Sequence, residues 1–276
     1  MRIGRMQTDS GEILVRPAGV ETYVALAPEG VTLNQVLAGH PVAVDGDQVP
    51  AGSLLSPFTP GKIVAIGLNY LDHIREAQAD QPTAPLVFTK FPSSVVGPGA
   101  AITIDRAVAA RVDWEVELAV VIGQRAQRVS PEAALNHVFG YTVANDVSAR
   151  DVQFADGQWV RGKSLDTFCP FGPWVVTADE VIDPQALKLG TRVNGQVMQD
   201  SSTAEMLFGV AELISYCSHS FTLEPGDVLL TGTPWGCGEF MDPRVSLQDG
   251  DTVEVWIEGI GSLTNPVTVL SDGVRG

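Results

Sequence analysis

Two glutamates, Glu115 and Glu117, interrupt the otherwise apolar run Val-Asp-Trp-Glu-Val-Glu-Leu-Ala-Val-Val-Ile at residues 112–122. The β-branched content predicts a strand, in which side chains alternate between faces. Trp114, Val116, Leu118 and Val120 then share one face, and Asp113, Glu115 and Glu117 share the other. Neighbouring carboxylates repel each other, and burying them unpaired is costly. A hard divalent cation compensates, because oxygen ligands suit Mg²⁺, Mn²⁺ or Ca²⁺. Glu-x-Glu on an exposed strand would merely be solvated, so a metal site needs a third ligand from elsewhere. Asp146 is the candidate. It follows the strand-like segment 140–145 and opens Asp-Val-Ser-Ala-Arg-Asp-Val-Gln at 146–153. If that segment is helical, Asp146, Arg150 and Gln153 fall on one narrow face at about 100° per residue. Three carboxylates and one divalent ion remain net negative, so a bound acid needs nearby cations, for which Arg150 and Lys163 are the candidates.

His73 and Glu76 lie three residues apart in Asn-Tyr-Leu-Asp-His-Ile-Arg-Glu and share a face if the segment is helical. A carboxylate beside an imidazole orients it and favours its protonated form, which suits proton abstraction. His40, His137 and His219 have no such partner in sequence and read as structural. The three cysteines, Cys169, Cys217 and Cys237, show no CxxC spacing, so packed, reduced thiols are expected. The glycine-rich stretches match neither a phosphate-binding loop nor a dinucleotide fingerprint.

These groups must be held by strands. Segments 62–67, 86–89, 112–122, 141–144, 174–177, 228–231 and 252–257 have the β-branched content and bounding turns of strands. Residues 189–200 predict a hairpin turning at Asn194-Gly195. Ser202, with Glu205 three residues on, predicts a capped helix that carries Met206, Leu207, Val210, Leu213, Ile214 and Cys217. A shorter helix is expected from Ser130-Pro131 to about Gly140. The Pro- and Gly-marked stretch at 56–61 predicts a boundary. Residues 1–57 would then form a small N-terminal β-rich domain and 58–276 the metal-dependent catalytic domain. The balance is an α+β, β-rich fold rather than regular βαβ alternation.

Composition narrows the function classes. Hydrophobic residues make up 45% of the 276, enough for a substantial core. Seventeen lysines and arginines against 33 acids give a net charge of −16, which disfavours nucleic acid and anionic membrane as partners. No apolar run suits a signal peptide or a membrane span, and a cytoplasmic location is the expectation.

Five segments in order resemble the fumarylacetoacetate hydrolase superfamily. They are Gly67-Leu-Asn-Tyr-Leu-Asp-His73, Asp113-Trp-Glu-Val-Glu117, the stretch 140–153, Gly162-Lys-Ser-Leu-Asp-Thr-Phe168 and Leu230-Thr-Gly-Thr-Pro-Trp-Gly236. The resemblance covers residues 62–270 and implies a rolled mixed β-sheet, commonly assembled as a homodimer. It also implies Glu115, Glu117 and Asp146 as metal ligands, usually for Mg²⁺, with Mn²⁺ or Ca²⁺ as substitutes. His73 and Glu76 match a His-x-x-Glu pair on a mobile lid, and Lys163 matches an active-site lysine. Arg150, Gln153 and Thr233 would bind the substrate. Lys90 and Ser93 stay outside the expected catalytic set, because Phe91 in Thr-Lys-Phe-Pro-Ser-Ser departs from the commoner family spelling. The leading expectation is a hydrolase that cleaves a carbon–carbon bond in a 2,4-dioxo acid such as an acylpyruvate or fumarylpyruvate, through an enolate stabilised by the ion. The alternatives are an isomerase or decarboxylase of unsaturated 2-oxo dicarboxylates from aromatic catabolism (2-hydroxyhepta-2,4-diene-1,7-dioate isomerase-like), an oxaloacetate decarboxylase, and a noncatalytic protein that binds oxo acids.

Overall fold

In the computed structural model, which describes residues 1–19, 22–43 and 46–270, the strand Val116–Ile122 lies at the centre of the fold. Both of its faces are buried. Val116, Leu118, Val120 and Ile122 join one core cluster with Trp114, Ile102, Leu213 and Val255. Ala119 and Val121 join a second cluster with Ile3, Phe58, Ala65 and Phe171. Burial on both sides explains the nearly continuous apolar run, and Glu115 and Glu117 continue the Ala119/Val121 face beyond its apolar part.

The strand pairs antiparallel with Val138–Asn145 on one side and Val228–Leu230 on the other. Val228–Leu230 runs parallel to Ile63–Gly67, which pairs with the edge strand Leu86–Lys90. In the other direction the sheet continues through Cys169–Thr177 to Arg2–Gln7, Glu12–Gly19 and Thr22–Ala25. A second, five-stranded sheet runs in the order Gln196–Ser202, Lys188–Val193, Thr252–Ile257, Gly261–Leu270 and Ile102–Asp105. The architecture is therefore the β-rich mixed-sheet α+β class expected from the sequence. The N-terminal strands extend the main sheet, pairing Arg2 with Val176 and Ile3 with Val175. Ile3, Leu14, Leu26 and Leu33 share the second core with Ala65, Ala119 and Phe171.

The hairpin at Asn194-Gly195 forms as expected, with φ of 52° and 80° at its two turn residues, the left-handed region a two-residue turn requires. Four local expectations are corrected. The 112–122 segment is two strands, Val112–Asp113 and Val116–Ile122. Side chains replace the ladder between them: Glu115 N donates to Asn145 Oδ1 (3.0 Å) and Val116 N to Gln199 Oε1 (3.0 Å). The 146–153 segment is not one helix. Ser148–Ala149 pairs with Val112–Asp113, and the helix is Arg150–Asp156. Ser202 caps only a 3₁₀ turn, Thr203–Glu205, and the long helix is Val210–Ser220, with the Glu212 carboxylate accepting from Gly209 N (2.9 Å). The segment between is pulled out of the helix by Asn69, whose backbone oxygen accepts from Leu207 N (2.7 Å) and whose side chain bonds both backbone groups of Phe208. The helix beginning at Pro131 ends at Ala134 and passes through a 3₁₀ turn into the strand at Val138, because Val138 onward is claimed by the sheet.

Candidate active site

The pairing of Val116–Ile122 with Val138–Asn145 builds the acidic cluster. Its last registered pair is Val116 with Asn145. The chain then turns, and Asp146 N donates to Glu115 O (2.8 Å). Glu115, Glu117 and, 29 residues further along the chain, Asp146 thereby offer one carboxylate oxygen each within 4.8 Å of one another. All three are buried.

Three cations surround them. Lys163, from the short helix Val160–Lys163, lies 2.5 Å from Glu115 Oε2 and 3.0 Å from Asp146 Oδ2. Lys90, at the end of the Leu86–Lys90 strand, lies 2.6 Å from Asp146 Oδ1 and is completely buried. The Arg150 guanidinium grips Asp113 through Nε (2.8 Å) and Nη2 (3.2 Å), and Nη2 also reaches Glu115 Oε1 at 2.6 Å. Its Nη1 donates to Gln153 Oε1 (3.2 Å), so Arg150 and Gln153 do share a helical face.

The electrostatics of the carboxylates diverge. Burial pushes Glu115 upward, but Lys163 and then Arg150 outweigh it and hold the carboxyl at about 2. Burial pushes Glu117 well above the usual carboxylate range, reinforced by the charges of Asp146 and Glu115. Among the described residues Glu117 forms no ion pair with lysine or arginine. Its Oε2 accepts instead from Gly232 N (2.7 Å). Four carboxylates, counting Asp113, thus stand against three formal positive charges. The donor set fits a hard divalent ion: three buried oxygens converge, and the carboxylate lacking a cationic partner is one of them. A divalent charge would also offset the excess of carboxylates and so favour binding of an acid.

On the opposite wall, the helix Leu71–Glu76 carries the other pair. His73 Nδ1 lies 3.0 Å from Glu76 Oε2, and Glu76 Oε1 accepts from Gly236 N (2.8 Å). The His73 ring stands edge-on to Phe240 at 5.1 Å. Asp72 Oδ1 accepts from His73 N (2.7 Å), and its Oδ2 accepts from Ser201 Oγ. A cavity of about 200 Å³ joins the two walls. Glu115, Glu117, Lys163, Arg150, His73 and Thr233 reach it through apolar surroundings that include Phe88, Trp159 and Phe240. Thr233 Oγ1 accepts from Gln199 Nε2 (2.9 Å), which leaves its own hydroxyl proton free for another acceptor.

All nine residues singled out from the sequence therefore converge on one region: His73, Glu76, Glu115, Glu117, Asp146, Arg150, Gln153, Lys163 and Thr233. Asp146 arrives by strand pairing rather than by a helical face. Sequence reasoning left Lys90, which pairs with Asp146, outside the catalytic set and gave no role to Asp113, which fixes Arg150. A signal for Lys90 existed: in an alternating strand it shares the face of Leu86 and Phe88, an odd place for a lone lysine. Gln199, which joins Val116, Thr191 and Thr233, was also missed. It sits in a hairpin strand with nothing in its neighbourhood to mark it.

Comparison with known proteins bears on this site. Residues 62–268 match the family described as Fumarylacetoacetate (FAA) hydrolase C-terminal. The mitochondrial oxaloacetate tautomerase FAHD2A of Bos taurus is 50% identical over 218 residues, 78% of this chain and 69% of that protein. Its counterpart in Rattus norvegicus is 44% identical over 255 residues, 91% of this chain and 81% of that protein. Among solved structures, a fumarylacetoacetate hydrolase from Exiguobacterium antarcticum superposes with a TM-score of 0.90 at 41% identity, covering 98% of this chain and 100% of that one. A 2-hydroxyhepta-2,4-diene-1,7-dioate isomerase from Mycobacterium marinum gives 0.82 at 39% identity, covering 99% of both chains.

Proposed function

The chain belongs to the fumarylacetoacetate hydrolase family, and from that premise we propose that it is a divalent-metal-dependent enzyme that moves a proton on a small 2-oxo acid, interconverting the enol and keto forms of a 2-oxo dicarboxylate such as oxaloacetate. The observation that carries this reading is the placing of His73, hydrogen-bonded to Glu76, on the same small cavity as Glu115 and Glu117. Relatives named oxaloacetate tautomerases at 44–50% identity point the same way. Held by Glu115, Glu117 and Asp146, a Mg²⁺ (or Mn²⁺ or Ca²⁺) supplies Lewis acidity and a fixed positive charge. The imidazole of His73 takes the proton from the enol oxygen and returns one to the neighbouring carbon, and Glu76 holds the ring in place. Lys163 stabilises negative charge developing on the substrate oxygen. The Thr233 hydroxyl and the Arg150–Gln153 pair orient the acid. Phe88, Trp159 and Phe240 keep bulk water away.

A second reading, hydrolysis of a carbon–carbon bond in a 2,4-dioxo acid, is favoured by the same His73–Glu76 pair, which is equally able to take a proton from water. Product analysis separates the readings in the presence of Mg²⁺ or Mn²⁺. Faster loss of the oxaloacetate enol with an unchanged carbon skeleton supports the first. Release of pyruvate and a carboxylic acid from an acylpyruvate supports the second. Carbon dioxide release marks a decarboxylase, and tight pyruvate or oxalate binding without turnover marks a binding protein. Full activity after thorough chelation would sink every metal-dependent version.

A further inference from the structure

We propose a second cation site, for a borderline metal such as Zn²⁺, formed by His73, Glu76 and Cys237 beside the three-carboxylate cluster. One ring nitrogen of His73, one carboxylate oxygen of Glu76 and the Cys237 sulfur lie within 4.8 Å of one another. His73 and Cys237 are buried, at 5% and 0% exposure. The site is assembled by two elements already tied together. The His-x-x-Glu turn of the Leu71–Glu76 helix presents the first two ligands, and Glu76 holds the backbone of Gly236, the residue before Cys237.

Two further observations point to a ligand. Among the described residues His73 Nε2 has no hydrogen-bond partner, and His73 lines the cavity. Among the described residues the Cys237 sulfur makes only long hydrogen-bond contacts, 3.7 Å from Gln199 Nε2 and 3.8 Å to Pro234 O. The hydrogen-bonded His73–Glu76 pair and a weakly engaged buried sulfur therefore lie within reach of one ion. Metal bonds of about 2.0–2.3 Å at tetrahedral angles set ligand atoms about 3.3–3.7 Å apart, so atoms within 4.8 Å of one another need close by no more than about 1.5 Å. Three protein ligands leave a fourth position for water. The donors divide the two sites by chemistry: oxygen alone at Glu115, Glu117 and Asp146 suits a hard ion, whereas nitrogen, oxygen and sulfur together suit Zn²⁺ or Co²⁺. A cation here occupies both members of the His73–Glu76 pair, so zinc inhibits where magnesium activates. That consequence rests on the proposed role of the pair, but the binding itself does not.

The test uses the full chain loaded with excess Mg²⁺ and titrated with Co²⁺ or Zn²⁺. A near-ultraviolet thiolate-to-Co²⁺ absorption in the wild-type protein, lost in Cys237→Ser, is expected. X-ray absorption on the zinc-loaded wild type should find one sulfur neighbour at about 2.3 Å, a readout that needs no variant. Zinc inhibition, measured against each protein's own zinc-free rate, should weaken at least about tenfold in Cys237→Ser. Absence of any sulfur ligand in the wild type overturns the proposal. So does zinc inhibition that excess Mg²⁺ relieves and Cys237→Ser leaves unchanged, because the zinc then sits on the three carboxylates. A sulfur-ligated metal that leaves turnover untouched upholds the site and counts instead against His73 and Glu76 as the proton-moving pair.

Discussion

The Lys163 ammonium lies 2.5 Å from Glu115 Oε2, with both side chains buried. The same nitrogen is 3.0 Å from Asp146 Oδ2, so one lysine bridges two of the three carboxylates proposed to hold the metal. Lys163 and the metal ion thus share their partners and repel each other. Replacing Lys163 by methionine should tighten Mg²⁺ binding at least about tenfold, by removing a like charge, and lower kcat. Calorimetric metal titration together with steady-state kinetics reads both. Weaker Mg²⁺ binding in the variant would mean that the lysine organises the ligands instead of competing with the ion.

Lys90 makes a separate prediction. Its ammonium pairs with Asp146 at 2.6 Å and also donates to the backbone oxygens of Val147 and Lys163, all without solvent access. Removing one partner of a buried ion pair leaves an uncompensated charge and costs about 3–5 kcal/mol. Asp146 keeps Lys163 at 3.0 Å, so Lys90→Met should lose at most that much stability in urea unfolding without Mg²⁺, and added Mg²⁺ should restore part of it. A variant as stable as the wild type without metal would contradict the pairing.

Glu76 is not among the three clustered carboxylates, so its removal should separate chemistry from metal binding. Glu76→Gln keeps the side-chain shape but weakens the support of His73, and kcat should fall about 10²–10⁴-fold. The rise in melting temperature produced by Mg²⁺ should be unchanged. Loss of that rise would assign Glu76 to the metal.

The thiols give a pH dependence. Burial pushes Cys217 up to about 12 and Cys169 also to about 12, with Lys90 opposing. In the unfolded chain a thiol titrates near about 8.5. Above that value the unfolded state releases its proton first, so stability falls as pH rises, by up to about 1.4 kcal/mol per pH unit for each thiol. The loss begins near about pH 8.5 and continues toward the folded value of about 12. Urea unfolding at about pH 8 and about pH 10 should show it. Cys217→Ser, which removes one such group raised by burial alone, should make the fall shallower, and an identical slope would remove the thiol from the account.

How much of this was legible in the sequence follows from range. Alternation within 112–122 gave the common face of Glu115 and Glu117, because the period of a strand is local. The helical argument for Asp146 put it beside Arg150 and Gln153 by a geometry the fold does not have. What brings it in is the pairing of Val116 with Asn145, a contact between distant segments that no local period encodes. The Val210–Ser220 helix carried its apolar spacing openly, but its start depended on Asn69, more than a hundred residues earlier. Lys90 was set aside and Asp113 given no role for a related reason: each is defined by a partner across the fold, Asp146 and Arg150. Family resemblance supplied roles for single residues where local physics offered only residue types.

The loop 231–237 has a mechanical consequence. Gly232 N holds Glu117 (2.7 Å), Trp235 N reaches Asp72 (3.4 Å) and Gly236 N holds Glu76 (2.8 Å). Five consecutive residues therefore fasten the acidic wall at one end and the histidine-bearing helix at the other. Any swing of that helix to admit a molecule must tug on the backbone that steadies Glu117, so admission to the chamber and the grip on an ion within it cannot be adjusted independently.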